Sequence, residues 1–355
     1  MAISPDVVAT ALQDLAPGYS ELFTAWHPIL DKIVKKGNID RASLKGPYRE
    51  FVVVTDGPGS VTQVLTGSEV IAGGRRQNAS RGDAYAPRMI YAFDVPGKDL
   101  AEANGANDLA KIIKAYPELG LSDFHERIAA QLAMGNGPGV GGFPTLNGDA
   151  TYNPQGVARD GAIDFAATTA QTGSPFGLNK ATLSGWHNQY ADITSFAANG
   201  RNRMRQVYYE CSRQGSKVMG PVDTLIGDPT SYLNYIDDLD QEVRVAKIEG
   251  DKAPSNVRMG VQFLDATFFM EEDIIPASFT TAAAQDGVIY YLKSSTWHLF
   301  TLGNDSWMET KGDFAVRGPI RIPEQDMWRY EYVLNMGLYC DQMRCNGAVT
   351  GANTP

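Results

Sequence analysis

Runs of apolar, β-branched and aromatic residues predict three strands near the start of the chain. Residues 51–55 and 61–66 are β-rich runs separated by residues 56–60, whose glycines and proline favour a tight turn, so we expect the two runs to form a hairpin. Residues 72–83 carry no apolar side chain larger than alanine, and we expect this polar stretch to protrude into solvent or a neighbour. A third strand is predicted at residues 89–95.

Apolar positions spaced three and four residues apart predict helices further along the chain. Residues 109–132 keep this spacing around Pro117 and Gly120, which indicates one long helix with a break or two helices in tandem. Residues 204–215 predict a second helical region that ends at a glycine. Asp228, followed by proline and threonine, is typical of the start of another helix.

Strand patterns return in the second half of the chain. A short strand is predicted at residues 222–226, and alternation recurs at residues 257–263. Residues 288–292 and 297–302 are predicted to be the two arms of a hairpin around a short polar turn. Residues 328–336 alternate between large apolar and polar side chains, as in a long strand with one buried face.

Two other segments lack a regular pattern. The first 45 residues contain short helical patterns, including Phe23 and Trp26, that prolines and glycines interrupt. Their apolar side chains need a surface to cover them, so we interpret this segment as an arm that packs on another domain or another subunit. Residues 135–142 are rich in glycine and are interpreted as a hinge, because they follow a helical pattern and no Gly-Lys-Ser/Thr sequence closes them into a phosphate-binding loop.

Composition and charge narrow the class of protein. The 355 residues suffice for one large elaborated domain or for two to three smaller ones. Lys and Arg number 31 and Asp and Glu number 41, so the net charge of −10 has the wrong sign for wrapping nucleic acid, and any contact with DNA is expected to be weak or local. Three scattered cysteines favour a reducing cytoplasm, and no signal-peptide or membrane-spanning pattern is found.

The chain shows no constellation of residues for catalysis or metal binding. The four histidines are far apart, and no His-Glu-x-x-His motif joins any of them. Cys340 and Cys345 lie five residues apart in a strand-like segment, which points them to opposite faces, so we interpret them as small buried or interfacial thiols. We therefore predict no catalytic residue, no cofactor and no metal ligand, and a structural role rather than an enzymatic one.

The predicted parts are an apolar arm, a long hairpin, a long helix and a terminal strand. Such extended parts suit contacts between subunits of an assembly. In this arrangement the sequence resembles the major capsid proteins of tailed bacteriophages, which have the HK97-type fold. The segments that carry the resemblance are residues 186–193, 204–215, 223–226 with Asp228-Pro229-Thr230-Ser231-Tyr232 after them, 261–266 leading to 274–277, 287–292, 297–299, 328–336 and 345–351. Their order extends over roughly half the chain.

The resemblance implies an α+β fold in six parts. Residues 1–45 would form the N-terminal arm, residues 46–95 the extended E-loop hairpin with flanking strands of the P-domain, and residues 96–141 the long spine-helix region of the P-domain. Residues 142–305 would be mainly the A-domain with its central mixed sheet, residues 306–337 strands of the P-domain, and residues 338–355 a C-terminal return to the A-domain.

The resemblance also implies a function and partners. The chain would self-assemble as hexamers and pentamers into an icosahedral shell that encloses double-stranded DNA, assembled in the cytoplasm of a bacterial host and present in the virion. A portal protein and weakly bound DNA would be partners, and a separate scaffolding protein is expected because the first core hairpin begins near residue 51. Some relatives form Lys-to-Asn links from the E-loop, but residues 48–88 contain no lysine, so we expect a noncovalent lattice.

Candidate contacts between subunits are charged residues of the E-loop and aromatic residues of the arm, because opposite charges across an interface can set its register. These candidates are Arg75, Arg76, Arg81, Asp83, Arg88, Phe23 and Trp26.

Three alternatives remain open at the level of sequence. An encapsulin-like compartment shell would share the fold and would differ by an inner pocket for cargo, which the sequence does not identify. A cytosolic enzyme could use Asp149, Asp160 and Asp164 as catalytic carboxylates, although their spacing matches no familiar motif. The third alternative is a phage tail or adhesion protein. Such a protein would be expected to have a mainly β sequence, so the predicted helices fit this alternative less well.

Overall fold

The computed structural model describes residues 32–33, 36, 38–40, 48–54, 79–85, 88–98, 175–215, 220–238, 260–270, 287–301, 314–323 and 325–352. The strands within these residues are β1 (Ile39–Asp40), β2 (Tyr48–Val54), β3 (Ala79–Tyr85), β4 (Arg88–Pro96), β5 (Gln189–Asp192), β6 (Thr224–Gly227), β7 (Val261–Phe263), β8 (Ala266–Met270), β9 (Ile289–Leu292), β10 (Trp297–Thr301), β11 (Phe314–Arg321), β12 (Met327–Cys340) and β13 (Gly347–Thr350). The same part of the chain contains the helices α1 (Arg201–Gly215) and α2 (Pro229–Asp238).

One sheet has six strands in the order β5-β13-β9-β6-β8-β7 and mixes parallel with antiparallel pairs. β6 and β9 are buried along their whole length, which explains why their sequences do not alternate between apolar and polar. α1 places Met204, Val207 and Cys211 against one face of this sheet, at the spacing that the sequence predicts. α2 packs on the same apolar cluster through Tyr232 and Tyr235.

A second sheet has the order β1-β10-β12-β11, and β4 also pairs with β12. The first part of β12 lies between β4 and β11, whereas residues 336–340 pair with β10. The sequence predicts this strand only over residues 328–336, and it extends to Cys340. One face of β4 and β12 is aromatic, with the ring of Phe93 centred 5.7 Å from Tyr330 and 6.0 Å from Tyr332.

The hairpin predicted for residues 288–302 is wrong. β9 belongs to the six-stranded sheet and β10 to the five-stranded sheet, with the short turn Ser294–Thr296 between them. The backbone at this turn is held by hydrogen bonds to side chains of distant residues. Lys293 N donates to Asn346 Oδ1 at 2.8 Å, and Ser294 N donates to Asp223 Oδ1 at 3.0 Å. These partners are distant in sequence, so an apolar pattern could not indicate them.

A second connection between the two sheets lies beside the first. β12 ends at Cys340, and the turn Met343–Cys345 leads into β13 of the six-stranded sheet. Asp341 N donates to Thr296 O at 3.0 Å, which joins the two connections. We call residues 293–296 and 341–346 the sheet junction.

The first strand of the first predicted hairpin is β2, and its partner among the described residues is β3. The two strands pair antiparallel along their whole length, from Tyr48 opposite Tyr85 to Val54 opposite Ala79. The end of the polar stretch at residues 72–83 is therefore a strand, which the sequence did not predict. The apolar pattern could not indicate this strand because its buried positions are small residues, Gly82 and Ala84. The predicted run at residues 61–66 lies outside the described residues.

Residues 261–266, one of the segments that carry the resemblance, are not a single strand, because the chain reverses there. β7 and β8 are antiparallel, and Leu264 adopts a φ of 52° in the turn between them. Other predictions are confirmed. The strands near residues 89–95, 222–226 and 328–336 are β4, β6 and β12, and the helix predicted at residues 204–215 is α1.

α2 begins as predicted, because Asp228 Oδ2 accepts a hydrogen bond from Ser231 N at 3.1 Å. The predicted helical region at residues 109–132 and the glycine-rich residues 135–142 lie outside the described residues.

Candidate assembly surfaces

The hairpin of β2 and β3 carries two of the candidate contact residues. Its side chains alternate between two faces, as in any paired strands. The inner face consists of Phe51, Val53, Gly82 and Ala84, and the outer hairpin face consists of Glu50, Val52, Arg81 and Asp83. Val52 is 70% exposed, which is unusual for a branched apolar side chain in a strand. The outer hairpin face is therefore available for contact.

The inner face fixes the hairpin on the body of the protein. The Phe51 ring stacks on Tyr339 of β12 with centroids 4.6 Å apart, and it meets Phe176 edge-on at 5.4 Å. Gly82 lies directly opposite Phe51, and a Cβ atom on Gly82 would lie 2.8 Å from Phe51 Cζ. Glycine is therefore required to leave room for the ring, and the ring anchors the base of the hairpin.

Charges on the outer hairpin face are partly neutralised within the chain. Glu50 and Asp83 lie directly opposite each other, an unfavourable pairing of like charges. Arg81 forms an ion pair with Glu50 across the strands. The two side chains of this pair are 60% and 56% exposed, so solvent screens it and it contributes little to stability. Arg81, predicted as an intersubunit residue, thus has a partner in its own chain.

A second face with an exposed apolar side chain lies on β4 and β12. Ile90 of β4 is 49% exposed. Asp94, four residues further along β4, accepts two hydrogen bonds from Arg329, at 2.8 Å from Nε and 3.0 Å from Nη2. The Arg329 hydrogen bond lowers the pKa of Asp94, and the same bond raises the pKa of Arg329. Arg88, another candidate, begins β4 opposite Asn335.

The remaining candidate residues stay predictions, because they lie outside the described residues. They are Arg75, Arg76, Phe23 and Trp26 among the contact candidates, and Asp149, Asp160 and Asp164 among the carboxylates of the enzyme alternative.

Nothing in the described residues builds a metal or thiol centre. They contain no group of three or more His, Cys, Asp or Glu residues that could hold a metal ion. Burial raises the pKa of Cys211 and of Cys340, which keeps both thiols protonated and unreactive. Cys345 is also buried, as predicted, although it lies in a turn and not in a strand. Within the described part, no helix is long and apolar enough to cross a membrane.

Two histidines have structural surroundings. His187 Nε2 lies 2.8 Å from the backbone oxygen of Lys180. The His298 ring stacks on Tyr339 at 4.9 Å, and its Nε2 lies 3.3 Å from Asp341 Oδ2. These contacts agree with the interpretation of the histidines as structural residues.

Sequence analysis missed a half-buried aspartate that connects distant segments. Asp223 Oδ2 accepts hydrogen bonds from Lys36 Nζ at 2.5 Å and from Ser294 Oγ at 2.6 Å. Burial alone would raise the pKa of Asp223, but the hydrogen bonds from Lys36 and Ser294 outweigh it and hold the pKa well below its usual value. The only signal in the sequence is a lone carboxylate at the start of an apolar strand.

Comparison with known proteins gives a match in structure alone. No protein-family model matches the chain, and no curated protein matches it. The Cyanophage A-1(L) capsid asymmetric unit matches with a TM-score of 0.57 and 10% identity, over 89% of this chain and 90% of that chain. The chain has the fold of a phage capsid protein. The resemblance to phage capsid proteins is thus confirmed for the fold.

Two other shells show the same capsid fold. The capsid of the native GTA particle matches with a TM-score of 0.50 and 10% identity, over 90% of each chain. The holo-SrpI encapsulin complex from Synechococcus elongatus PCC 7942 matches with a TM-score of 0.52 and 9% identity, over 93% of this chain and 88% of that chain. Because each match covers about nine tenths of both chains, the capsid fold describes the chain as a whole.

Proposed function

We propose that the chain is the major capsid protein of a tailed bacteriophage, with the HK97-type fold. It self-assembles as hexamers and pentamers into an icosahedral shell around double-stranded DNA. The observation that carries the proposal is the match to the Cyanophage A-1(L) capsid subunit over 89% of this chain and 90% of that chain. Individual contacts between subunits can be modest, because closed symmetry repeats each of them many times.

In this proposal the described sheets correspond to the two capsid domains. The six-stranded sheet with α1 and α2 is the core of the A-domain, and β4, β11 and β12 form the P-domain sheet. Residues 1–45 are the N-terminal arm, residues 46–95 contain the E-loop, and residues 96–141 contain the spine helix. The role of the chain is structural rather than enzymatic, in agreement with the capsid fold.

The hairpin of β2 and β3 is the base of the E-loop in this assignment, and its outer face contacts a neighbouring P-domain. Val52 supplies an apolar contact, and Glu50, Arg81 and Asp83 supply charges that set register. The P-domain face around Ile90 resembles the outer hairpin face in its chemistry. It too has an exposed apolar side chain beside an ion pair, here the pair of Asp94 and Arg329. Arg75, Arg76 and Arg88 add positive charge to the same loop.

The lattice is noncovalent, because residues 48–88 contain no lysine that could form an isopeptide link. A separate scaffolding protein and a portal protein are partners during assembly in the host cytoplasm. Packaged DNA is bound weakly and without sequence specificity, since the chain carries a net charge of −10.

Electron microscopy with light scattering tests the proposal on the purified protein. The measurements cover a range of salt concentrations, with and without a coexpressed scaffolding protein. Closed shells or rings of five and six subunits are expected. A protein that stays monomeric under every condition, including with scaffold, would overturn the proposal.

A charge on the outer hairpin face tests the E-loop contact. Val52→Glu is expected to leave the urea midpoint of the subunit unchanged, because the side chain is 70% exposed. Shell yield should fall at least about tenfold, as expected when burial of an added carboxylate at an apolar contact weakens it by about 1.4 kcal/mol or more. Leu233→Glu, at a 56% exposed position of α2, is the matched control and should assemble normally. Equal shell yields for Val52→Glu and Leu233→Glu would contradict a contact between subunits through the outer hairpin face.

The second candidate function is an encapsulin-like compartment shell, which the match to the SrpI encapsulin over 93% of this chain favours. The contents of shells isolated from cells that express the chain distinguish the two functions. Protein cargo without nucleic acid would favour a compartment. DNA protected from nuclease inside the shell would favour a capsid.

A further inference from the structure

Lys32 and Lys36 both contact Asp223 on the body of the protein. Lys36 Nζ lies 2.5 Å from Asp223 Oδ2, and Lys32 Nζ donates to the backbone oxygen of Asp223 at 2.8 Å. The two lysines are one helical turn apart, and Lys36 N donates to Lys32 O at 3.1 Å. One turn of the chain thus presents two ammonium groups to the same residue.

The next residues are bound to the sheet junction. Asn38 Nδ2 donates to Ser294 O and to Trp297 O, each at 3.3 Å, and Leu299 N donates to Asn38 O at 3.0 Å. β1 then adds two residues in parallel to β10. Strand pairing this short gives little stability by itself. Ile33 of this segment is fully buried, and Lys32 Nζ lies 5.1 Å from the centre of the Phe269 ring. The remaining described contacts of the segment are polar, and those of Lys32 and Lys36 centre on Asp223.

Asp223 is also bound by the body of the protein itself. Its carboxylate accepts hydrogen bonds from Ser294 N at 3.0 Å and from Ser294 Oγ at 2.6 Å, and Lys293 Nζ lies 3.5 Å away. Among the described residues, the charged groups that face this carboxylate are Lys36 and Lys293. The carboxylate is thus positioned by Ser294 and Lys293 of the body as well as by the N-terminal segment.

We propose that Asp223 is an electrostatic latch that holds residues 32–40 on the sheet junction. The latch acts in the single subunit and goes beyond the proposed shell function. Opening it releases β1 from the edge of the five-stranded sheet. The six-stranded sheet stays folded, because its apolar cluster contains no residue of this segment.

Hydrogen exchange on unassembled subunits tests the latch. In Asp223→Asn, the amides of Lys36, Asn38 and Leu299 are expected to exchange at least about tenfold faster, the factor that corresponds to about 1.4 kcal/mol. The amides of α1 should be unchanged. Asp238→Asn is the matched control, because it removes one carboxylate from the Arg201 ion pair on α1 and α2.

A second variant covers the case in which Asp223→Asn disturbs the whole fold. Lys36→Met removes one arm of the latch and leaves the contacts of Asp223 with Ser294 and Lys293 intact. Faster exchange confined to residues 32–40 and β10 supports the latch. Unchanged exchange in Lys36→Met overturns it. Shell formation is scored separately by microscopy, so a wild-type subunit that never assembles would contradict the proposed function and leave the latch intact.

Discussion

Replacement of Asn346 should lower the free energy of unfolding by an unusually large amount for a side chain of its size. Its side chain is fully buried in the sheet junction. Its Oδ1 accepts hydrogen bonds from Lys293 N at 2.8 Å and from Trp297 Nε1 at 3.1 Å. Its Nδ2 donates to Gln342 O at 2.9 Å and to Thr296 Oγ1 at 3.1 Å. One amide thus bonds both connections between the two sheets.

Asn346→Leu keeps the approximate volume and removes these four hydrogen bonds together with a fifth, from Nδ2 to Cys340 Sγ at 3.5 Å. Two buried donors, Lys293 N–H and Trp297 Nε1–H, lose the acceptor that this amide provides. Each buried group left without a partner costs about 1–3 kcal/mol, so the two donors predict a loss of about 4 kcal/mol. A loss this large is exceptional for one substitution, and it arises because one side chain satisfies several buried groups.

Urea unfolding of the unassembled subunit, followed by tryptophan fluorescence, measures this loss. Asn202→Leu is the matched control: the same substitution at an exposed position of α1 should change the free energy of unfolding by less than about 0.5 kcal/mol. A loss below about 1 kcal/mol in Asn346→Leu would refute the reasoning, because water or another group would then have to satisfy both donors.

Three further predictions concern the hairpin, α2 and the latch. Gly82→Val should displace the Phe51 ring from Tyr339 and cost about 1–3 kcal/mol in urea unfolding, whereas Ala92→Val on the exposed face of β4 should be nearly neutral. Asp228→Ala should cost about 2 kcal/mol in the same assay, because Ser231 N and Gly287 N both lose their acceptor; a cost below about 0.5 kcal/mol would contradict the capping role. The pKa of Asp223 is lowered by folding, so its contribution is present above the unfolded value of about 3.9 and is lost as pH falls below it. The protection of the amides in residues 32–40, measured against the intrinsic exchange rate at each pH, should therefore decline progressively below about pH 4 in the wild type and not in Asp223→Asn. An equal decline in both would contradict this assignment.

Strongly periodic segments of the fold could be predicted from the sequence. α1 was found because Met204, Val207 and Cys211 repeat at helical spacing, and all three are buried against one sheet. β4 and β12 were found because large side chains alternate along them. In each case burial of one face dictates the residue pattern, so the pattern can be read without knowing the partner element.

Pairing could not be predicted where small or polar residues decide it. β3 was missed because Gly82 makes room for Phe51 instead of contributing an apolar side chain of its own. The break between β9 and β10 was missed because Asn346 and Asp223, both distant in sequence, bond the turn. For the assembly surface, the sequence indicated Arg81 as an exposed charge but not its ion pair with Glu50.

The two parts proposed to reach other subunits are fixed to the same pair of strands. The hairpin is anchored by Phe51 on Tyr339 of β12, and Tyr339 lies opposite His298 of β10. The next residue of β10, Leu299, pairs with β1 of the N-terminal segment. The sheet junction lies directly beside these residues and orients both strands. A change at the junction should therefore move the hairpin and the N-terminal segment together, even though the two have no need to touch each other.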